Sequence, residues 1–170
     1  MNVILLGMMG AGKSSVGREL AERLHLRWVD TDEMIERAHG RIADLFARFG
    51  EAHFRLLEKE VAEKLSHEDG LVISTGGGFV LHEENVTQLK KNGKAVYLRA
   101  KAETLFKRIE FDGSRPLLKS KEEGLVQLER KLKERAPIYE RLADKIIDTD
   151  GLTLQKTAEK VAHWIRGGKV

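Results

Sequence analysis

The feature that most constrains this chain is a glycine-rich segment near its start. Residues 7–14 read GMMGAGKS, which matches the phosphate-binding loop pattern G-x-x-x-x-G-K-[ST] at every required position. Such a loop joins a buried strand to a helix, and its amide N–H groups surround phosphate oxygens. Residues 2–6 read as the strand, and Val16, Leu20 and Leu24 recur at helical spacing after the loop. The sequence therefore predicts a strand–loop–helix unit that binds a nucleotide.

The loop pattern also assigns roles to single residues. Lys13 is expected to reach the β- and γ-phosphates and to act in catalysis, and the Ser14 hydroxyl is expected to bind Mg²⁺. The predicted contacts to ATP come from consecutive residues at the end of the loop: Gly10, Ala11, Gly12, Lys13, Ser14 and Ser15.

Composition excludes several classes of protein. The chain has 170 residues, which predicts a single domain over residues 1–170, and 41% of them are hydrophobic and 34% charged. No apolar run approaches the roughly 20 residues of a membrane span. Because Met1 leads directly into a predicted strand, no signal peptide is expected. The absence of cysteine excludes disulfides and thiol catalysis, in agreement with a cytoplasmic protein. A net charge of +3 with mixed signs favours anionic small-molecule substrates over nucleic acid or membrane partners.

Short apolar runs alternate with amphipathic segments along the chain. The runs at 2–6, 27–30, 71–74, 95–98 and 145–148 read as strands, and helical patterns separate them. This alternation predicts an α/β fold with a parallel sheet, helices on both faces, and ligands at the carboxyl ends of the strands. Thr31 is expected to cap the second helix, and Pro137 is expected to kink or interrupt the longest one.

Two carboxylates follow the second strand. Asp30 at the strand end is placed to approach Mg²⁺ directly or through water, and Asp32 is placed to orient an acceptor hydroxyl or take its proton. Helix capping is the simpler explanation for one aspartate here, but capping needs only one. Alternation puts Trp28 on the same strand face as Asp30, so its indole is expected in the floor of the site.

Two arginines lie at helical spacing from other notable residues. Arg55 and Glu58 are three apart, so the carboxylate could hold the guanidinium for capture of an anion. From spacing alone an ordinary surface ion pair is the better interpretation. Arg135 follows Leu132 by three residues and leans towards the buried side of its helix, where a second arginine would complete an anion site. From the sequence alone, a solvated charge is again the better interpretation.

Two loops complete the candidate set. Gly76, Gly77 and Gly78 follow the third strand, where they would let a ligand approach backbone N–H groups, although a flexible connection is the alternative. A polar segment at about 111–119 contains Arg115 followed by Pro116. It fits either a mobile lid that delivers an arginine to the phosphates or a plain exposed loop.

In this order the motifs resemble the shikimate kinase family over nearly the whole chain. The family pattern has a phosphate loop, an aromatic-x-Asp-x-Asp strand end, F-R-x-x-E, a triple glycine, a lid with R-P, and R-x-x-x-Y. Here these correspond to Lys13 with Ser14, residues 28–32, residues 54–58, residues 76–78, Arg115 with Pro116, and residues 135–139. Trp28 replaces the commoner phenylalanine, Ser15 replaces the commoner threonine, and the lid is short.

The resemblance implies a nucleoside-monophosphate-kinase-like, three-layer P-loop fold with a five-stranded parallel sheet and a mobile lid. It implies that Mg·ATP phosphorylates the 3-hydroxyl of shikimate on the route to chorismate. Arg55 and Arg135 would hold the shikimate carboxylate, which reverses the interpretation from spacing alone. Asp32 would contact the acceptor hydroxyls, the backbone of Gly76, Gly77 and Gly78 would complete the pocket, and Ile42, Phe46 and Phe54 would form its apolar wall. The resemblance also implies that Arg108 lies beside adenine and that Arg115 contacts the phosphates and acts in catalysis.

Two rival hypotheses remain from the sequence. Another small-molecule kinase of this fold, such as a gluconate kinase, would not need paired arginines for a ring carboxylate. A nucleotide-binding switch without catalysis would lack an acceptor pocket, and the N-K-x-D motif of GTPases is absent from the sequence. A monomer is expected.

Overall fold

A parallel sheet forms the centre of the molecule. The computed structural model describes residues 1–111 and 121–168. Its strands are β1 (Asn2–Leu6), β2 (Arg27–Asp30), β3 (Leu71–Ser74), β4 (Gly93–Arg99) and β5 (Lys145–Asp148). They form a five-stranded sheet in the order β2-β3-β1-β4-β5, and every neighbouring pair is parallel. The predicted five-stranded parallel sheet is confirmed.

Helices connect the strands. They are α1 (Lys13–Leu24), α2 (Thr31–His39), α3 (Ile42–Ser66), α4 (Glu83–Lys90), α5 (Ala102–Phe111), α6 (Lys121–Leu142) and α7 (Leu154–Ile165), with a 3₁₀ turn at Phe79–Leu81. Helix α3 is broken by Gly50, whose φ of 81° lies outside the helical region. Two helical segments therefore meet at a kink at Gly50.

The helices cover the sheet as two layers. Helices α1 and α7 pack against each other, and α4 contacts both α3 and α6. All residues of β1 and β3 are buried, as expected for central strands of a parallel sheet with both faces covered. The predicted three-layer α/β architecture is confirmed.

The structure corrects two local predictions, which are the residue that caps α2 and the expected interruption of α6 at Pro137. Asp30, not Thr31, caps α2, because its carboxylate accepts hydrogen bonds from the amides of Asp32 and Glu33. Thr31 is instead buried. Helix α6 runs through Pro137 to Leu142 without interruption. Proline removes one helical hydrogen bond, but Tyr139, two residues later, is fully buried and anchors this part of the helix to the core.

The loops that follow β1, β2 and β3 meet at one edge of the sheet. They carry the phosphate loop, the start of α2 and the triple glycine, respectively. Arg115 and the rest of the predicted lid beyond Phe111 lie outside the described residues. No helix in the described part of the chain is long and apolar enough to cross a membrane.

Candidate active site

One large cavity lies at the carboxyl edge of the sheet. Its volume is about 960 Å³, and it extends from the phosphate loop to α3 and α6. It is lined by every predicted site residue that the structure describes: Gly10, Ala11, Gly12, Lys13, Ser14, Ser15, Asp30, Asp32, Phe46, Phe54, Arg55, Gly76, Gly77, Gly78, Arg108 and Arg135. Residues far apart in sequence therefore surround a single volume large enough for two small molecules.

The phosphate loop is held tightly between β1 and α1. Gly10 and Gly12 have φ angles of 80° and 83°, which side chains other than glycine rarely adopt. A methyl group on Gly10 would also lie 2.7 Å from the carbonyl oxygen of Leu105. Gly12 precedes the first residue of α1, so the helix N-terminus points its free amides at the cavity.

Lys13 is buried within this loop. Its ammonium group donates to the carbonyl oxygens of Gly7 at 2.7 Å and Met8 at 2.9 Å. Burial lowers the pKa of Lys13 to about 8, although Asp32 and Asp30 oppose the shift. Lys13 therefore remains mostly protonated at neutral pH, with two carboxylates on the cavity side of the charge.

Ser14 and Asp30 form a polar pair beside Lys13. The Ser14 hydroxyl donates to Asp30 Oδ2 at 2.6 Å, while Asp30 Oδ1 accepts the α2 amides of Asp32 at 2.9 Å and Glu33 at 3.3 Å. Asp30 thus caps α2 and faces Ser14 with its other oxygen. Hydroxyl and carboxylate oxygens are the donors that Mg²⁺ accepts, and this ion usually takes few protein ligands beside phosphates and water. The pair fits a magnesium site.

Asp32 is half-buried, and one oxygen of its carboxylate is buried with spare hydrogen-bonding capacity. Within residues 1–111 and 121–168, its Oδ1 atom has no hydrogen-bond partner. Burial and the neighbouring charge of Asp30 raise the pKa of Asp32 to about 6, against the opposing effect of Lys13. Asp32 is therefore ionised at neutral pH and can accept a hydrogen bond from a ligand hydroxyl.

Arg55 is fixed by two carboxylates on α3. Its Nη1 donates to Glu58 Oε2 at 2.6 Å, and its Nη2 donates to Glu51 Oε1 at 3.0 Å. The Arg55 side chain is 12% exposed and that of Glu58 is fully buried, so this is not the surface pair that spacing alone favoured. Arg55 Nε and Glu58 Oε1 have no partner among the described residues. Burial raises the pKa of Glu58 although Arg55 opposes the shift.

The triple glycine makes room for two candidate site side chains and lies beside a third. A methyl group on Gly76 would lie 2.5 Å from Asp32 Oδ1, and one on Gly78 would lie 2.5 Å from Arg55 Nη2. The same position on Gly77 is 3.6 Å from Arg135 Nη1. The loop therefore places its bare backbone against Asp32, Arg135 and Arg55 in turn.

A hydroxyl from α2 anchors the same loop. Thr31 Oγ1 accepts a hydrogen bond from the Gly76 amide at 3.0 Å. Thr31 therefore holds the glycine loop in place and does not cap α2, as the sequence had predicted it would.

Arg108 joins two loops at the other end of the cavity. Its guanidinium donates a hydrogen bond to the Gly10 carbonyl oxygen at 3.4 Å. It also donates two hydrogen bonds to Thr149, one to Oγ1 at 3.2 Å and one to the carbonyl oxygen at 3.0 Å. Thr149 is buried and lines the cavity with Leu152 and Leu154. The loop after β5 therefore contributes to the wall beside Arg108.

An apolar wall lies near the arginines. The rings of Phe46 and Phe54 are 4.8 Å apart between centroids, and Ile42 lines the same part of the cavity. Phe54 is buried, whereas Phe46 is partly exposed. The three apolar residues expected from the resemblance are thus together in the cavity.

Trp28 does not line the cavity, contrary to expectation. Its indole Nε1 donates to Ser74 Oγ at 3.0 Å, and the Arg18 guanidinium carbon lies 4.3 Å from the ring centroid. Ser74 Oγ in turn donates to the Lys13 carbonyl at 2.8 Å. Strand alternation correctly put Trp28 on the face of Asp30, but α1 covers that face at Trp28.

Two side chains that support the site were missed from sequence. Glu51 precedes Arg55 by four residues, so helical spacing could have suggested the contact. Ser74 gave no local signal, because its link to Lys13 joins residues that are 61 apart in sequence.

These features define a class of protein. The phosphate loop ends a central strand of a parallel sheet and shares one cavity with a second, polar pocket built from arginine and aspartate. A nucleotide site that opens on a pocket for another small molecule is characteristic of phosphate-loop kinases that act on small molecules.

Comparison with known proteins identifies the family. The family model described as shikimate kinase matches residues 9–166, and the chain belongs to this family. A shikimate kinase from Thermodesulfovibrio yellowstonii is 44% identical over 163 residues, covering 94% of this chain and 92% of the relative. A shikimate kinase from Colwellia psychrerythraea is 44% identical over 165 residues, covering 96% and 94%.

A solved structure agrees over almost the whole chain. The shikimate kinase from Acinetobacter baumannii in complex with shikimate has a TM-score of 0.89 and 37% identity, covering 99% of this chain and 94% of the other. The resemblance stated from the sequence is therefore confirmed, and the protein is an ATP-dependent small-molecule kinase of this family.

Proposed function

We propose that this protein transfers the γ-phosphoryl group of ATP to the 3-hydroxyl of shikimate, which yields shikimate 3-phosphate and ADP. The observation that carries the proposal is the position of Arg55, Arg135 and Asp32 around one glycine loop, in the cavity that continues to the phosphate loop. Guanidinium groups suit a carboxylate, and an ionised aspartate suits a hydroxyl. The relative from Acinetobacter baumannii was solved with shikimate, which supports the same acceptor here.

The phosphate side of the site acts through fixed charge. The amides of Gly10 to Ser15 surround the phosphates, and the buried Lys13 charge stabilises the oxygen atoms around the transferring phosphorus. Because Lys13 holds the Gly7 and Met8 carbonyls, it is restrained before the nucleotide arrives. Ser14 and Asp30 would hold Mg²⁺, which supplies charge neutralisation on the phosphates.

The acceptor side acts through orientation. Arg55 and Arg135 bind the carboxylate of shikimate, with Glu58 and Glu51 restraining the Arg55 rotamer. The Asp32 carboxylate accepts a hydrogen bond from the attacking hydroxyl and orients its lone pair towards phosphorus. Phe46 and Phe54 cover the apolar face of the ring, and the backbone of Gly77 and Gly78 completes the pocket.

Other parts of the proposal concern the periphery. Arg108 provides the surface beside adenine, and Arg115, which lies outside the described residues, closes over the phosphates. Residues 1–170 act as one domain, with the acceptor site on the helices at about 31–66. We place the enzyme in the cytoplasm as a monomer with no nucleic acid partner.

The test is a coupled assay of ADP formation with shikimate, quinate, gluconate and nucleoside monophosphates. Shikimate should give turnover far above the rate without acceptor, and Lys13→Ala should remove it. Faster turnover with gluconate would favour a gluconate kinase, and nucleotide binding without turnover of any acceptor would favour a non-catalytic switch. Either result contradicts the proposal.

A further inference from the structure

Tyr139 is a fully buried side chain at the back of the acceptor pocket. Its ring stacks on Tyr97, with centroids 4.9 Å apart and an interplanar angle of 27°. Its hydroxyl donates to the Gly77 carbonyl at 2.5 Å and lies 3.6 Å from the Met8 sulfur. A residue of α6 is thereby joined to the glycine loop and reaches the beginning of the phosphate loop.

Tyr139 is also linked to the arginine one turn earlier on α6. Burial raises the pKa of Tyr139, while the nearby charge of Arg135 opposes the shift. Arg135 Nη1 in turn lies 3.6 Å from the position that a methyl group on Gly77 would occupy. The hydroxyl, Arg135 and the Gly77 peptide therefore form one contiguous group.

The bond to Gly77 fixes more than one atom. A peptide unit is planar and trans, so the carbonyl of Gly77 and the amide of Gly78 point in opposite directions. Holding the carbonyl against Tyr139 therefore sets the direction of the Gly78 amide. Within the described residues, the Gly78 amide donates no hydrogen bond, and it is free to contact a ligand.

We infer that Tyr139 is a positioning residue for the acceptor, which holds the glycine loop and Arg135 in the arrangement that binds the acceptor carboxylate and hydroxyls. The inference rests on the proposed function for the identity of the acceptor. Tyr139 itself contacts no substrate and exchanges no proton. It acts through Gly77 and Arg135.

The test compares Tyr139→Phe with Tyr97→Phe, which removes the other hydroxyl of the same stacked pair. Tyr139→Phe removes the hydrogen bond that holds the Gly77 carbonyl, so we expect the KM for shikimate to rise about 5- to 100-fold. The kcat and the KM for ATP should change by no more than about twofold, because Lys13 and the phosphate loop amides are retained. Tyr97→Phe should leave all three parameters near those of the parent protein.

A second measurement does not depend on turnover. Amide hydrogen exchange of the free protein should be faster in Tyr139→Phe at residues 75–81, where the Gly76 and Phe79 amides are hydrogen bonded, and unchanged there in Tyr97→Phe. Unchanged exchange in Tyr139→Phe overturns the inference, and so does an unchanged KM for shikimate in an active enzyme. If the parent protein does not turn over shikimate, the proposed function fails, while the exchange experiment still decides whether Tyr139 holds the loop.

Discussion

The two halves of the cavity satisfy their polar groups in different ways. On the phosphate side, Lys13 holds two loop carbonyls and Ser14 holds Asp30. On the acceptor side, buried atoms of Asp32, Arg55 and Glu58 have no hydrogen-bond partner among the described residues. The phosphate half is thus preorganised by its own contacts, whereas the acceptor half keeps polar atoms that a ligand can satisfy. Acceptor binding should therefore respond more sharply to single changes in side chains.

The largest expected effect is at the acceptor arginines. Arg135→Ala or Arg55→Ala should weaken shikimate binding by about 2–5 kcal/mol, roughly 30- to several thousand-fold, because a desolvated charge pair is lost. ADP affinity should stay within about twofold, since the phosphate loop is untouched. Isothermal titration calorimetry with each ligand measures both quantities.

Arg141→Ala is the matched control for these variants. Arg141 lies on α6 like Arg135, but it pairs with Glu83 outside the cavity. The Arg141→Ala variant should bind shikimate with the same affinity as the parent protein. Equal losses of shikimate and ADP affinity in Arg135→Ala would remove the distinction between the two halves.

The next effect concerns the chemical step. Asp32→Asn retains the shape of the side chain but removes its charge, so kcat should fall about 10²- to 10⁴-fold if Asp32 orients or deprotonates the hydroxyl. Glu33→Gln, which changes the adjacent residue and its contact with Arg18, serves as control. Steady-state kinetics at saturating substrates checks this, and a kcat of Asp32→Asn near that of the parent would assign Asp32 to binding alone.

The pH dependence should show both halves at once. The pKa of Asp32 is raised to about 6, so the active carboxylate is lost as pH falls through 6. The pKa of Lys13 is lowered to about 8, so its positive charge is lost as pH rises through 8. At low substrate concentrations, kcat/KM should therefore fall about tenfold per pH unit below 6 and above 8. A flat profile from pH 5 to 9 would contradict both assignments.

The smallest effect should come from behind the phosphate loop. Trp28→Phe removes the hydrogen bond to Ser74, which should cost about 0.5–1.5 kcal/mol of stability and lower Tm by several degrees. Because Trp28 lies outside the cavity, the KM values for ATP and shikimate should change by no more than about threefold. Thermal unfolding measures the change in stability and steady-state kinetics measures the KM values, with Trp164→Phe as the comparison. A large change in the KM for shikimate alone would show that Trp28 contributes to the acceptor pocket.

The same contrast explains how much the sequence could predict. The phosphate loop was recognisable from residues alone because its requirements are local: glycine conformations, a lysine and a hydroxyl within one short segment. The role of Arg55 was not recognisable in this way, because an exposed ion pair and a buried ion pair with Glu58 have the same i, i+3 spacing. Only the fold, which buries Glu58 completely, separates the two. The family resemblance supplied that information before the structure did.

The errors have the same physical origin. Strand alternation gave the correct face for Trp28, but it carries no information about which helix covers that face. Asp30 and Thr31 are both good capping residues, and Asp30 is the one that caps α2. The Thr31 hydroxyl instead accepts a hydrogen bond from the Gly76 amide, which is 45 residues away in sequence. Beyond Pro137, α6 carries Tyr139, whose ring stacks on Tyr97 of β4, and helical spacing in the sequence carries no information about such a distant contact.

The triple glycine limits how this pocket can acquire a new specificity. An alanine at Gly76 or Gly78 would bring a methyl group to 2.5 Å from Asp32 Oδ1 or Arg55 Nη2, respectively. Neither position can therefore gain a side chain while its functional partner keeps its present place. A change of acceptor that starts at Gly76 or Gly78 therefore requires paired substitutions, because a single step at either position would pass through an enzyme with a displaced aspartate or arginine.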